Sequence, residues 1–289
     1  MLNARLIPRL DIKGPNLVKG IHLEGLRVLG KPERFARHYY EHGADELLFV
    51  DAVASLYGRN SLVDIIRRTA SEVFIPLTVA GGIRTLDDIR TVLRAGADKV
   101  ALNTAAVTRP ELVSEAARRF GSSTIVVSIE AIKRGSVWEV YTDNGRERTG
   151  LDALQWAQRA SQLGAGELLV TSVDREGTGT GYDLDLTRII ADSVPIPVIA
   201  CGGAGNATHL VEAFRDGRAQ AVAAASIFHY HLVRSAPSED GIAEEINTAH
   251  LREGVGFGRI ADETLPNIRA VLRDAGISCL HRAEQEGAA

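Results

Sequence analysis

The two halves of this chain repeat one another. Gly43-Ala44-Asp45-Glu46-Leu47-Leu48 returns as Gly164-Ala165-Gly166-Glu167-Leu168-Leu169, Ile75-Pro76 as Ile196-Pro197, and Gly81-Gly82 as Gly202-Gly203. Each match lies 121 positions downstream, as 46 against 167, 75 against 196 and 81 against 202 show. Three matches at one displacement are hard to obtain by chance, and the unit is too long for a solenoid repeat. A duplicated half-fold is the expectation.

Within each half, short β-branched runs alternate with stretches of helical spacing, which is the pattern of βα units on a parallel sheet. The pattern predicts strands over 5–11, 46–51, 76–79, 99–103, 124–130, 167–173, 197–201 and 221–226. Helices are predicted over 31–40, 62–69, 86–95, 110–119, 153–163 and 207–215. Eight such strands in two matching halves argue for an α/β fold of the (βα)₈ TIM-barrel type, with its site at the C-terminal strand ends. A doubly wound open sheet is the alternative, but it gives no reason for the halves to match. The expected organisation is one barrel domain over 1–289, with half-barrels at about 1–122 and 123–234. A C-terminal insertion and last helix would occupy 235–279, and a polar tail 280–289. The last helix is predicted to start near Thr264, with Pro266 in its first turn, and to stop at Gly276.

Composition excludes several classes. A formal net charge of −4 and the lack of a long basic run give no general attraction to nucleic acid or to an anionic membrane. The two cysteines, Cys201 and Cys279, are too few for a disulfide framework, so a reducing cytoplasm is the expected setting. No apolar run is long enough to span a bilayer, and no signal-peptide core is visible.

The strand Arg9-Leu10-Asp11-Ile12-Lys13 ends in a carboxylate and a lysine, and so does Ser128-Ile129-Glu130-Ala131-Ile132-Lys133 half a chain later. Across one barrel mouth, Asp11 and Glu130 would face each other as an acid–base pair. The two Gly-Gly turns, Gly81-Gly82 and Gly202-Gly203, let backbone amides approach an anion closely. Each is followed by a small or polar strand end, Asn103-Thr104 in the first half and Ala225-Ser226 in the second. Two phosphate sites on opposite sides of the mouth are therefore expected, the second closed by Gly177-Thr178. The bland reading, that Gly-Gly only permits a tight turn, does not explain the duplication.

These residues resemble the HisF family, the cyclase subunit of imidazole glycerol phosphate synthase. The likeness rests on Leu10-Asp11-Ile12-Lys13, Asp51 in Val50-Asp51-Ala52-Val53-Ala54-Ser55, Gly81-Gly82-Ile83, Ala97-Asp98-Lys99-Val100, Asn103-Thr104-Ala105-Ala106, Thr171-Ser172-Val173-Asp174 and Gly202-Gly203-Ala204-Gly205. It runs from Met1 to about Tyr230. The related isomerase HisA shares the barrel and double phosphate grip, but Gly177-Thr178 with Gly181-Tyr182-Asp183 fits HisF better. The resemblance implies a lyase and cyclase of histidine biosynthesis. Ammonia from a HisH-type glutaminase partner would convert a bis-phosphorylated ribulosyl aminoimidazole to imidazole glycerol phosphate and an aminoimidazole carboxamide ribotide. It implies catalytic Asp11 and Glu130, with Lys19 on a lid loop, Asp51, Thr171 and Glu176 binding substrate. It further implies an ammonia gate of Arg5, Glu46, Lys99 and Glu167 at the barrel floor, and Asp98 at the glutaminase-facing surface. The loop 14–30 carrying Lys19 has Gly14, Gly20, Gly25 and Gly30 to bend at. A charge ring that merely closes the core, and a plain surface connection, are the respective alternatives.

Several residues depart from the family pattern. Glu130 and Glu176 stand where the family has Asp, Arg9 where a small Cys is usual, and Cys201 where Ser is frequent. Strand alternation puts Arg9 on the face of Asp11, where Asp11 and Glu130 are its expected partners; the alternative is a shifted strand with Arg9 snorkelling between helices. The departures keep open an ammonia-delivering subunit in amino- or amidino-sugar synthesis for surface polysaccharide, or a non-catalytic ammonia-conducting scaffold. His229-Tyr230-His231 reads as a solvated loop rather than metal ligands. Trp138 and Trp156 could pack or cover the mouth, and Gly202-Gly203-Ala204-Gly205 lacks the spacing of a nucleotide-cofactor fingerprint, so neither metal nor cofactor is expected.

Overall fold

The computed structural model describes residues 3–54, 62–235, 259–261 and 263–280. Of the C-terminal insertion expected from 235, residues 236–258 lie outside the described residues, as do 281–289 of the expected tail. In chain order the strands are β1 (Arg5–Lys13), β2 (Asn16–Ile21), β3 (Glu24–Gly30), β4 (Leu47–Asp51), β5 (Leu77–Ala80), β6 (Lys99–Leu102), β7 (Ile125–Arg134), β8 (Val137–Thr142), β9 (Glu147–Asp152), β10 (Glu167–Ser172), β11 (Val198–Cys201) and β12 (Ala221–Ala224). The helices are α1 (Pro32–Glu41), α2 (Val63–Ala70), α3 (Leu86–Ala95), α4 (Thr104–Thr108), α5 (Glu111–Phe120), α6 (Ala153–Gln162), α7 (Leu184–Ala191), α8 (Ala207–Arg215), α9 (Ser226–Ser235) and α10 (Leu265–Asp274).

Parallel pairing runs β1, β4, β5, β6, β7, β10, β11, β12 and back to β1, where Arg5 pairs with Ala221. The closed circuit is a (βα)₈ barrel, as expected, and it places β1 and β7 on opposite walls. The repeat is visible in three dimensions. Gly81 and Gly202 have φ of +92° and +91°, and a Cβ on either would lie 2.6 Å from a carbonyl, that of Asp51 in one half and Ser172 in the other. The next helices start alike: Thr85 accepts from the Asp88 amide, and Asn206 accepts from the His209 amide.

The remaining strands build two hairpins at the mouth. The segment expected to be a lid loop is the antiparallel pair β2–β3, turning at His22 and Leu23 with φ of +52° and +64° rather than at a glycine. Both residues being left-handed gives the turn the twist that two paired strands require. The second hairpin, β8–β9, continues from β7 and turns through Asp143, Asn144 and Gly145, all at positive φ.

Elsewhere local chemistry moves the expected boundaries. The helix expected over 110–119 is α5, and the short α4, which the sequence pattern did not suggest, precedes it; Pro110 separates the two and restricts Arg109 before it. Strand β12 ends at Ala224 because Ser226 already opens α9. Helix α9 also corrects the reading of His229-Tyr230-His231 as a solvated loop. His229 is fully buried; its Nε2–H donates to the Arg9 carbonyl at 2.9 Å and its Nδ1 accepts from the Tyr39 hydroxyl at 2.6 Å. Burial pushes its pKa down to about 3, so it stays a neutral brace between α1, α9 and β1. Helix α10 begins after Thr264, whose hydroxyl accepts from the Asn267 amide, with Pro266 in the first turn. Its Arg269 ties it to the barrel floor through Asp45 at 2.7 Å.

Candidate active site

Inside the barrel three layers follow one another from floor to mouth. At the floor Arg5 contacts Glu46 at 2.6 Å and Glu167 at 2.5 Å, while Lys99 contacts Glu46 at 3.1 Å and Glu167 at 2.9 Å. The four side chains form a closed ring of alternating charge. Above it lies a small apolar layer that includes Ile7, Leu48, Val126, Leu169 and Ile199. The mouth layer then carries Arg9, Asp11, Ser128, Glu130 and Thr171. Asp98 is at the floor face and exposed, and its carboxylate accepts from the Leu77 amide at 2.8 Å.

On the β1 side, Asp11 is buried against two cations. The Arg9 Nε donates to Asp11 at 2.8 Å, and the Lys19 ammonium stands 4.0 Å from its other oxygen. Arg9 is itself only 3% exposed and also reaches the Cys201 sulfur at 3.4 Å. Burial alone would lower its pKa, but Asp11, Cys201 and Glu176 outweigh it, and Arg9 stays a cation. It therefore lies in the lumen, as alternation requires, and does not snorkel between helices. Of its two expected partners it takes Asp11, with Cys201 in place of Glu130.

Lys19 comes down onto Asp11 from β2, because the hairpin folds inward. Its ammonium pairs with Glu176 at 2.5 Å and donates to the Gly20 carbonyl at 3.0 Å. Burial disfavours both charges, yet the mutual attraction prevails: the Lys19 pKa is raised and that of Glu176 lowered. The hairpin is pinned there by the His22 amide on the Glu176 carbonyl at 2.9 Å and by the His22 ring on the Val173 carbonyl at 2.8 Å. A Cβ at Gly177 would come within 2.7 Å of the Gly20 carbonyl, so glycine permits this close docking.

The opposite wall differs. Glu130 on β7 receives the Gly145 amide from the tip of the β8–β9 hairpin at 2.8 Å. Burial raises its pKa to about 7, against smaller lowering effects of Arg9, the Gly145 amide and Asn103. A carboxylic acid that is half protonated near neutrality can donate a proton. The two hairpins meet over the mouth, where the Asn144 side chain donates to the Leu23 carbonyl at 3.3 Å.

The two glycine turns border separate cavities. The first, of about 100 Å³, is lined by Asp51, Gly81, Gly82, Asn103, Thr104, Glu130 and Thr171, among others. The second, of about 10 Å³, is lined by Glu176, Gly177, Gly202, Gly203, Ala225 and Ser226 beside Arg9. Asp51, 5% exposed, accepts from the Val53 amide at 3.2 Å. Of the residues singled out for substrate from sequence, all border one cavity or the other except Thr178, whose hydroxyl donates to the Arg175 carbonyl, and Lys19, which reaches Glu176 and Asp11 from above. Among the described residues no cluster of His, Cys, Asp or Glu could hold a metal ion.

Sequence reasoning missed the β8–β9 hairpin, and with it Asp143, Asn144 and Gly145. Asn144-Gly145 after the β-branched and aromatic run Val137–Thr142 was the available signal. Trp138 belongs to this hairpin: it donates to Asp183 at 2.8 Å and lies under the Lys133 ammonium at 4.9 Å. Trp156 is buried on α6.

Comparison with known proteins agrees with the geometry. Residues 5–234 match the family model described as "Histidine biosynthesis protein". Over 206 residues the chain is 59% identical to the imidazole glycerol phosphate synthase subunit HisF of Legionella pneumophila, covering 71% of this chain and 97% of that relative. A closed barrel with duplicated glycine turns, matched over most of its length at this identity, leaves one assignment: the chain belongs to the histidine biosynthesis protein family and, within it, to HisF.

Proposed function

We propose that this chain is the cyclase subunit of imidazole glycerol phosphate synthase. It uses ammonia to convert a bis-phosphorylated ribulosyl aminoimidazole to imidazole glycerol phosphate and an aminoimidazole carboxamide ribotide in histidine biosynthesis. The observation that carries the reading is the pair of opposed, chemically unlike carboxyl groups, Asp11 and Glu130, between two glycine-lined anion cavities.

Ammonia condensing with the ketose carbonyl expels water, and ring closure expels an amine. Each attack needs a proton removed and each departure one supplied. Glu130, with its pKa near 7, delivers protons to the leaving groups. Asp11, oriented by Arg9 and approached by Lys19, accepts them from the attacking nitrogen. Gly81, Gly82, Asn103 and Thr104 hold one phosphate, and Gly177, Gly202, Gly203, Ala225 and Ser226 the other, with exposed amides as donors. Asp51 and Thr171 line the space between them and the chemistry, and Lys19 with Glu176 closes it from above.

The partner in this reading is a HisH-type glutaminase docked at the floor, where Asp98 is exposed. Arg5, Glu46, Lys99 and Glu167 then gate ammonia into the apolar layer leading to the mouth. A cytoplasmic setting suits such a biosynthetic subunit; among the described residues no helix is long and apolar enough to cross a membrane. The test is turnover of the ribulosyl substrate by the purified chain with an ammonium salt in place of the glutaminase. Turnover lost in Asp11→Asn and in Glu130→Gln is expected; a wild-type chain that binds this substrate without converting it would reject the reading.

A further inference from the structure

Arg9 borders both mouth cavities and is the one side chain they share. Its position on β1 is fixed from behind, where His229 holds the Arg9 carbonyl, and from the side, where Nε is held by Asp11. A guanidinium carries five N–H donors in one plane. Asp11 and Cys201 take one each, and the rest have no hydrogen-bond partner among the described residues. A buried cation with unused donors beside two cavities is costly unless something oxygen-rich completes it. Protein groups already flank it on the other sides: the Asp11 and Glu176 carboxylates and the Cys201 sulfur favour its charge, and Glu130 is near enough to feel it.

We propose that Arg9 is a substrate-contacting, specificity-determining residue at the centre of the mouth. Its Nε positions Asp11, and its remaining N–H groups donate to an acceptor oxygen, a ketose carbonyl or hydroxyl, on the segment that joins the two phosphates. The proposal rests on the cyclase reading for the identity of the bisphosphate, and it adds a reader of the span between the grips. A bisphosphate with an apolar span would leave these donors unpaired, which is the strongest form of rejection available to a polar site.

The test uses the full chain with the ribulosyl aminoimidazole substrate and ammonium salt, comparing wild type with Arg9→Gln and Arg9→Lys, and inorganic phosphate as a separate binding probe. Loss of a charge-assisted contact in Arg9→Gln raises KM by about tenfold or more. Inorganic phosphate binding weakens less than substrate binding does, because phosphate loses the neighbouring charge but the glycine grips are untouched. The descending alkaline limb of turnover moves to higher pH in Arg9→Gln, since Arg9 opposes, and Asp11 and burial favour, the protonated form of Glu130. Arg9→Lys restores the limb because it keeps the charge, and it recovers KM only in part because it lacks the planar fork. Unchanged KM and an unmoved limb in a folded Arg9→Gln would overturn the proposal; should that variant fail to fold, an Arg9→Lys protein with wild-type KM does so instead. Calorimetric binding of the substrate without ammonia separates this from the cyclase reading. Binding that depends on Arg9 without turnover in the wild type rejects the cyclase and keeps the contact. Turnover with a KM indifferent to Arg9 does the reverse.

Discussion

Asp11 and Glu130 stand on opposite walls of one barrel, and their surroundings are reversed. Asp11 is packed against a guanidinium at 2.8 Å and an ammonium at 4.0 Å. Glu130 has a backbone amide at 2.8 Å and burial, which leaves its pKa at about 7. The same chemical group at the same kind of strand end thereby sits in two environments, which the proposed function uses for two roles. What divides them is not the strand but what each half folds over it: β2–β3 brings a lysine onto Asp11, whereas β8–β9 brings a turn with amide donors onto Glu130. A duplicated scaffold has become asymmetric through its two hairpins.

Removing the carboxylates tests the division most severely. Asp11→Asn leaves the accepting side neutral beside Arg9 and Lys19, and ammonium-fed kcat is expected to fall by about a thousandfold. Glu130→Gln should cost about a hundredfold, since a neutral amide still fills the place of the protonated acid. Equal losses would show that the two groups act as one unit rather than in separate roles. Stability should move the other way for Glu130. Its folded pKa lies above the ordinary 4.5, so its contribution is fully present below pH 4.5 and is lost as pH rises through about 7. Glu130→Gln is therefore expected to gain about 1–2 kcal/mol relative to wild type on going from pH 5 to pH 8.5, allowing for water in the cavity. Urea unfolding at the two pH values measures it, and a wild type that gains more than the variant would contradict the raised pKa.

The glycine turns, in contrast, should respond alike in the two halves. Gly81→Ala and Gly202→Ala each force a side chain onto a left-handed backbone 2.6 Å from a carbonyl, and each is expected to cost about 1–3 kcal/mol. A melt in which only one of them is destabilised would break the equivalence of the halves. Lys99→Met removes one cation from the floor ring and leaves Glu46 and Glu167 with Arg5 alone. Stability is expected to fall by about 1–2 kcal/mol, with ammonium-fed turnover within about twofold of wild type. A large loss of that turnover would tie the floor to the chemistry rather than to delivery. The smallest effect belongs to Trp138→Phe, which removes one hydrogen bond to Asp183 from the base of the second hairpin and should cost about 1 kcal/mol.

Much of this arrangement was legible in the residues. The 121-residue displacement predicts the closed barrel because only a symmetric closure gives both halves equal work, and it places Glu46 with Glu167 and Gly81 with Gly202 in equivalent positions. Strand alternation placed Arg9 beside Asp11 in the lumen. It could not say that Cys201 rather than Glu130 would be the second partner, because Cys201 lies on β11, next but one to β1 with β12 between, and the register of those strands is not written in β1 itself. The hairpins were hidden for different reasons. In 14–30 the turn is carried by His22 and Leu23 rather than by any of the glycines, and in 137–152 a polar second strand, Glu147–Asp152, sits between a barrel strand and a helix, where a plain connection is expected. His229 shows the remaining gap: the triplet His229-Tyr230-His231 looks solvated until α9 is packed on α1, and then its first residue, bonded to Tyr39 and the Arg9 carbonyl, is fully enclosed.

The division of labour at the mouth is tested most directly by the pH dependence of kcat. Turnover of the ribulosyl aminoimidazole substrate would be followed from about pH 5.5 to about pH 9 at constant free ammonia, for wild type and Glu130→Gln. The account predicts a wild-type rate that declines as pH rises through about 7, and a slower variant in which that decline is gone. A decline that persists unchanged in Glu130→Gln would show that another group supplies the proton, and would contradict the account.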